Sequence, residues 1–167
     1  MRFSKLSVIA VYVYAATFAS AQASAVQTNL DTISGDLAAL LTAINSFTGT
    51  LAGALAVSAA ASTLQTDYET ALTETNAATD LESESAALAA AVQALVPPHA
   101  DGLAALVEKE PLFEAGGFKA LVLAQVQTLS SDSSQLWAAL DSKISADISS
   151  FASTIKDSYS AAIAAYS

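Results

Sequence analysis

No cysteine occurs in this chain, which excludes disulfide scaffolding, thiolate metal sites and cysteine catalysis together. The one histidine, His99, rules out a histidine-rich metal site and is the only candidate base for a nucleophilic triad. No Gly-x-Ser-x-Gly elbow presents a serine to such a base, so no catalytic residue is assigned. The six glycines are scattered and none has the spacing of a phosphate-cradling loop. Basic residues are scarce as well, six against sixteen acidic ones. Two of the six, Arg2 and Lys5, fall in an expected leader, which leaves four against sixteen and a mature charge of −12. Such a surface repels nucleic-acid phosphates and anionic bilayers, which are bound through clustered Lys and Arg. N-glycosylation is excluded too, because Asn29, Asn45 and Asn76 are followed two positions on by Asp31, Phe47 and Ala78.

What is abundant is alanine, 39 of 167 residues, in a chain that is 53% apolar but only 7% aromatic. That is a helix-forming composition. Arg2, Lys5 and the apolar run from Leu6 to Phe18 read as a secretory signal peptide, with Ala19-Ser20-Ala21 as the small-residue cleavage site. The apolar run is short of the roughly 20 residues of a spanning helix. Residues 1–21 are therefore the leader and 22–167 a single domain beginning at Gln22. No integral membrane segment is expected, and the C-terminal Tyr159 to Ser167 lacks the long tail of a lipid-anchor signal.

Apolar residues recur in steps of three and four at Val26, Leu30, Ile33, Leu37, Leu40, Ile44 and Phe47, one stripe along a first helix that Gly49 ends. A second helix, from about Thr50 to Asn76, has a thinner inner face of Val57, Ala61, Leu64, Tyr68, Ala71 and Leu72. Its small side chains either allow close approach of a neighbour or leave space beside the helix. Thr79 and Glu82 match a capping box for a third helix bearing Leu88, Val92, Leu95, Leu103 and Leu106. Pro97-Pro98 is expected to kink or break that helix. Pro111 opens a short segment ending at Gly116-Gly117, and a fourth helix carries Phe118, Val122, Val126, Leu129, Leu136, Trp137 and Leu140. A fifth carries Ile144, Ile148, Phe151, Ile155, Tyr159, Ile163 and Tyr166. No segment alternates as a strand does, so the fold class is all-α: an antiparallel bundle of about five amphipathic helices.

The carboxylate pairs Glu82/Glu84 and Glu108/Glu110 are spaced by two and point to different sides of a helix. Glu110 and Glu114 share a face, but two carboxylates do not make a calcium cage, so neither metal nor cofactor is expected. His99 lies four residues after Leu95 and four before Leu103. We expect it to be partly exposed at the proline kink, the alternative being a polar contact for a ligand head group. Ser133, four after Leu129 and four before Trp137, reads as a core serine bonded to the carbonyl one turn back, with a ligand contact as its alternative. Tyr68 and Tyr159 face inward with hydroxyls that need partners.

The run from Val92 through Pro97-Pro98 and His99 to Leu103, the stretch Leu106 to Phe113, the double glycine, the Leu121 to Leu129 helix and the alanine-rich close Ala161 to Ser167 resemble one family. It is the hydrophobic surface binding protein A family of filamentous fungi, which is also grouped with the Mp1-type cell-wall galactomannoproteins. The resemblance covers the whole expected mature chain and rests on helix-packing patterns rather than catalytic signatures. It implies a secreted, non-enzymatic, all-helical protein that adsorbs to hydrophobic solid surfaces and recruits a cutinase-like, polyester-degrading hydrolase to them. Galactomannoprotein relatives hold fatty acids between their helices, so the alternative it implies is a fatty-acid carrier or sequestering protein. A wall component that binds nothing in particular is a third reading. The wall-anchored members' long Ser/Thr-rich stalk is absent, so the expected location is extracellular or loosely associated with the cell wall.

A lipid site, on this reading, lies between the second helix and the third and fourth. Leu72, Leu95, Leu103, Leu129, Trp137, Phe151 and Ile155 supply apolar walls, and Tyr68, His99, Ser133 or Tyr159 meets the carboxylate. Ala61 and Ala71 are the positions where a phenylalanine should fill the space.

Overall fold

The computed structural model describes the backbone of residues 6–167 and side chains from Ser20 onward. The expected leader up to residue 19, with Arg2, Lys5 and the apolar run to Phe18, lies outside the residues whose side chains are described. The described chain forms α1 (Leu6–Asn45), α2 (Leu51–Ala77), α3 (Ser85–Ala115), α4 (Lys119–Asp141) and α5 (Ser149–Tyr166), with a 3-10 turn at Glu82–Glu84 before α3. Among the described residues no helix is long and apolar enough to cross a membrane.

The helix ends follow local chemistry. Thr50 has extended backbone and its hydroxyl accepts the Gly53 N–H at 3.2 Å, an N-cap for α2. At the end of α3 the Phe118 N–H reaches Phe113 O (2.8 Å) and the Gly117 N–H reaches Glu114 O (2.9 Å), with Gly117 at φ +77. That is a Schellman cap, and it needs a residue that tolerates the left-handed region. Lysines close two other C-termini. Lys109 donates to Asn45 O and Phe47 O, both at 3.2 Å, and Lys143 donates to Asn76 O at 2.9 Å and to Ala78 O. Each places a cation on carbonyls that have no partner within their own helix.

Three local expectations are corrected. The helix does not break at Pro97-Pro98, and the Pro111 segment is not separate, since α3 runs through all three prolines. The carbonyls those prolines leave without donors belong to Gln93, Ala94 and Val107, all exposed residues, so water can take the lost bonds. The capping box does not form, because the Thr79 N–H and hydroxyl both donate to Gln22 Oε1 at 3.0 Å. Asp80 accepts the Glu82 N–H instead. Ile144 and Ile148 precede α5 but are buried in the turn that leads to it.

Successive helices reverse direction, yet sequence neighbours are not always neighbours in space. Around the bundle the order is α1, α2, α4, α5, α3 and back to α1, with α3 and α4 meeting only weakly. Gln125 bonds Ser58 and Lys143 bonds Asn76, so α2 and α4 run parallel. Five cylinders in a closed ring, at a usual spacing of roughly 8–10 Å, leave an axial hole about 6–7 Å across that side chains must fill. Val26, Leu30, Ile33, Leu64, Leu88, Val92, Leu136 and Leu140 fill one half of it and are buried.

Candidate functional site

His99 stands near the middle of α3 and is only 1% exposed, which corrects the expectation of a partly exposed residue at a kink. Tyr68 from α2, Ser133 and Trp137 from α4 and Tyr159 from α5 are buried at the same level. The His99 ring centroid lies 6.2 Å from those of Tyr68 and Trp137 and 6.0 Å from that of Tyr159. His99 Nδ1 is 2.7 Å from Leu95 O, and a carbonyl only accepts, so Nδ1 carries the proton. Nε2 is then left to accept the Tyr68 hydroxyl. Burial pushes the His99 pKa down to about 4, against the upward pull of the Leu95 hydrogen bond, so the ring is neutral at neutral pH. Burial also raises the Tyr68 hydroxyl and pushes Tyr159 up to about 12, the latter opposed by the neighbouring hydroxyls of Tyr68 and Ser133. Ser133 donates to Ser130 O at 3.2 Å, one turn back as anticipated. Trp137 Nε1 is a buried donor without an acceptor among the described residues. The five side chains of the layer are thus neutral and rich in donors, while the Asp132 carboxylate lies close enough to act on Tyr68 and Tyr159 and keeps one buried oxygen without a donor among the described residues.

Above this layer lies a cavity of about 30 Å³ lined by Leu37, Leu40 and Ile44 of α1, Val57 and Ala61 of α2, His99, Gly102, Leu103 and Leu106 of α3, Val122, Gln125, Val126 and Leu129 of α4, and Tyr159 of α5. Farther along the ring, past Ile44 and Leu106, aromatic rings pack on one another. Phe47 stacks on Phe113 at 3.9 Å, Phe118 meets Phe47 edge-on, and the Tyr166 hydroxyl donates to Leu106 O at 2.7 Å. A space of 30 Å³ admits a water but not a lipid, which needs roughly 300 Å³ or more. The walls are nevertheless almost wholly aliphatic. The thinnest one is α2, where Ala54, Ala61 and Ala71 are buried and Gln125 holds Ser58 through one hydrogen bond of 2.6 Å.

Of the residues expected at a lipid site, His99, Leu103, Leu129 and Tyr159 line the cavity, and Tyr68, Ser133 and Trp137 complete the layer below it. Leu95 and Ile155 are buried in the core, whereas Leu72 and Phe151 are partly exposed against it. Ala61 lines the cavity and Ala71 does not. Sequence reasoning assigns the α1 stripe, Val57, Leu106, Val122 and Val126 to the core alone and so misses them as cavity wall, and it misses Gly102 and Gln125. The signal for Gly102 was its place three residues after His99 and four before Leu106. For Gln125 it was an amide between Val122 and Leu129 on an apolar face.

Comparison with known proteins gives this arrangement a context. AFMP4P, whose crystal structure is a complex with palmitic acid, superposes with a TM-score of 0.84 at 31% identity, covering 87% of this chain and 99% of that one. Ligand binding domain 1 of the Penicillium marneffei MP1 protein, complexed with arachidonic acids, superposes with a TM-score of 0.78 at 20% identity, covering 84% of this chain and 95% of that one, a likeness of fold. No curated protein sequence matches significantly. Residues 23–142 match the family described as Hydrophobic surface binding protein A. With the family match spanning residues 23–142 and the fold shared over 87% of the chain, the chain belongs to the Hydrophobic surface binding protein A family.

Proposed function

We propose that this is a secreted, non-enzymatic lipid-binding protein that adsorbs to uncharged apolar surfaces and houses one fatty acyl chain inside its helical ring. The observation that carries this reading is the aliphatic lumen ending on a neutral layer with an unpartnered indole N–H, in a chain whose fold matches a palmitic acid complex. The acyl chain lies along Leu37, Leu40, Ile44, Leu106, Val122 and Val126. The carboxyl end meets Trp137 Nε1 and the hydroxyls of Tyr159, Tyr68 or Ser133. The ring widens to admit it. Burying a methylene gains about 0.8 kcal/mol, so ten of them gain about 8 kcal/mol. That gain works against separating α2 from α4, which meet there through alanines and one hydrogen bond.

His99 engages both ring nitrogens, with Leu95 O and Tyr68, and has no serine nucleophile on Nε2, which supports a binding role over a hydrolytic one. Removal of residues 1–21 leaves Gln22 at the mature N-terminus. Titration with palmitic acid, followed by Trp137 fluorescence, tests the lumen: saturation at one ligand per chain is the expected result. No change in emission, together with no retention of labelled palmitate, would refute it. The resemblance extends the reading to hydrophobic solids and to a cutinase-like hydrolase drawn to them. Co-sedimentation of such an enzyme with protein-coated polyester beads tests that extension, and equal enzyme on bare beads contradicts it.

A further inference from the structure

The sixteen acidic residues are not spread evenly over the ring. From Leu51 to Thr66 α2 carries no charged residue, and from Ala120 to Ser131 α4 carries none. Acidic residues begin at Asp67 and Glu69 on one helix and at Asp132 on the other. Because α2 and α4 pack in parallel with Ser58 against Gln125, the two charge-free stretches lie side by side and end at the same height. Leu51 (63% exposed), Leu55 (59%) and Leu121 (45%) stand out from this face, and they are three of the five large apolar side chains exposed among the described residues. The rest of its exposed surface is alanine and Ser/Thr hydroxyls in equal number with one amide, Gln127, groups that cost far less to desolvate than a carboxylate.

A groove of about 130 Å³ runs between the two helices, lined by Ala61, Ser62, Gln65, Ala124, Gln125, Thr128 and Leu129. Ala61, Gln125 and Leu129 also line the inner cavity, so a single layer of side chains separates groove from lumen. A face without charges offers nothing to a charged partner, and what lies against it has direct access to a cavity with aliphatic walls. Both features fit an uncharged hydrocarbon phase.

We propose that the paired charge-free halves of α2 and α4 are the face by which the protein lies on an uncharged lipid phase, and that an acyl chain passes from that phase into the lumen between Ala61, Gln125 and Leu129. This rests on the lipid-binding reading and adds its location. The acidic remainder of the ring stays in water and sets the orientation.

Flotation with neutral triglyceride droplets tests it. The combined variant Leu51→Glu, Leu55→Glu, Leu121→Glu should lose at least tenfold in droplet binding. An equal charge added on exposed α5 positions, Ser150→Glu, Thr154→Glu, Ala161→Glu, should leave binding within about twofold of the wild type. Failure of the wild type to float overturns the surface reading and this face with it. Flotation of the α2/α4 variant as strong as the wild type overturns the face alone. Sedimentation of the wild type as a dimer that the same variant splits would mean that a second copy covers the face, and also overturns the proposal. A labelling experiment is independent of how well that variant folds. The chain has no cysteine, so Ser62→Cys or Thr154→Cys carries a polarity-sensitive dye uniquely. Droplets should blue-shift the dye at position 62 and not at 154; equal shifts, or a shift at 154 alone, contradict the proposal.

Discussion

Gly102 gives the sharpest handle on the lumen. It is a buried residue in the interior of α3, it lines the cavity, and a Cβ added there meets nothing within 4 Å. Glycine at a helix interior costs about 0.8–1.0 kcal/mol relative to alanine, and a buried methyl group gains about 0.8 kcal/mol more where space already exists. Gly102→Ala should therefore stabilise the protein by roughly 1–2 kcal/mol, about 3–7 °C in Tm for a domain of this size. Gly102→Leu adds more volume than a 30 Å³ cavity holds, so the helix-propensity gain is offset by about 1–3 kcal/mol of overpacking. Its side chain then occupies the path of the acyl chain. The assay is thermal unfolding beside palmitic acid binding for the wild type and both variants. Alanine should raise the melt, and leucine should abolish binding in a protein that still melts cooperatively. A destabilised Gly102→Ala would mean that the space beside residue 102 is not free. A folded Gly102→Leu variant with wild-type affinity would place the ligand outside this lumen.

Tyr68→Phe leaves His99 Nε2 buried without a donor and should cost about 1–3 kcal/mol in denaturant unfolding; an unchanged midpoint would contradict the hydrogen bond. Since the His99 pKa is lowered in the fold, its contribution is whole above the unfolded value near 6.5 and is lost as pH falls toward about 4, a loss of about 3 kcal/mol. His99→Gln should remove that share of acid sensitivity, which stability measured between pH 7 and 4 will reveal. Asp36 has the opposite sign. Burial and the neighbouring Asp67 raise its pKa to about 6, so its stabilising protonated form is lost as pH rises through that value. Asp36→Asn should therefore melt higher than the wild type at pH 7 and no higher near pH 4. Gly117→Ala forces an L side chain to φ +77 and should cost about 1–2 kcal/mol in Tm-derived stability, with no effect on ligand affinity.

Much of the helical pattern was legible because steps of three and four reveal a buried stripe whatever lies opposite it. Val26 to Phe47 and Val122 to Leu140 needed no partner to be read as inward faces. What failed were features decided by surroundings that local spacing does not contain. Thr79 looked like half of a capping box because Gln22, 57 residues away, is invisible to local spacing. Pro97-Pro98 reads as a kink or break because proline is costly where the freed carbonyls are kept from water, and here α3 continues with those carbonyls on exposed residues. His99 looked partly exposed because its acceptor nitrogen is satisfied by Tyr68 from across the ring. Ala61, His99, Leu103, Leu129 and Tyr159 were therefore readable at the candidate site, while the α1 wall and Val57, Gly102, Leu106, Val122, Gln125 and Val126 were not. Loop lengths fix which helices are consecutive. They do not fix the ring order that sets α1 beside α3 and α2 beside α4.

Native mass spectrometry of the protein purified from a secreting host decides whether the lumen holds an acyl chain, since a ligand held inside the ring survives desalting better than one adsorbed outside. The expected result is a species carrying the mass of one fatty acid, or its appearance when palmitic acid is added to the bare protein, and its loss in Gly102→Leu. A bare chain under both conditions, or a bound fatty acid that Gly102→Leu retains, would contradict it.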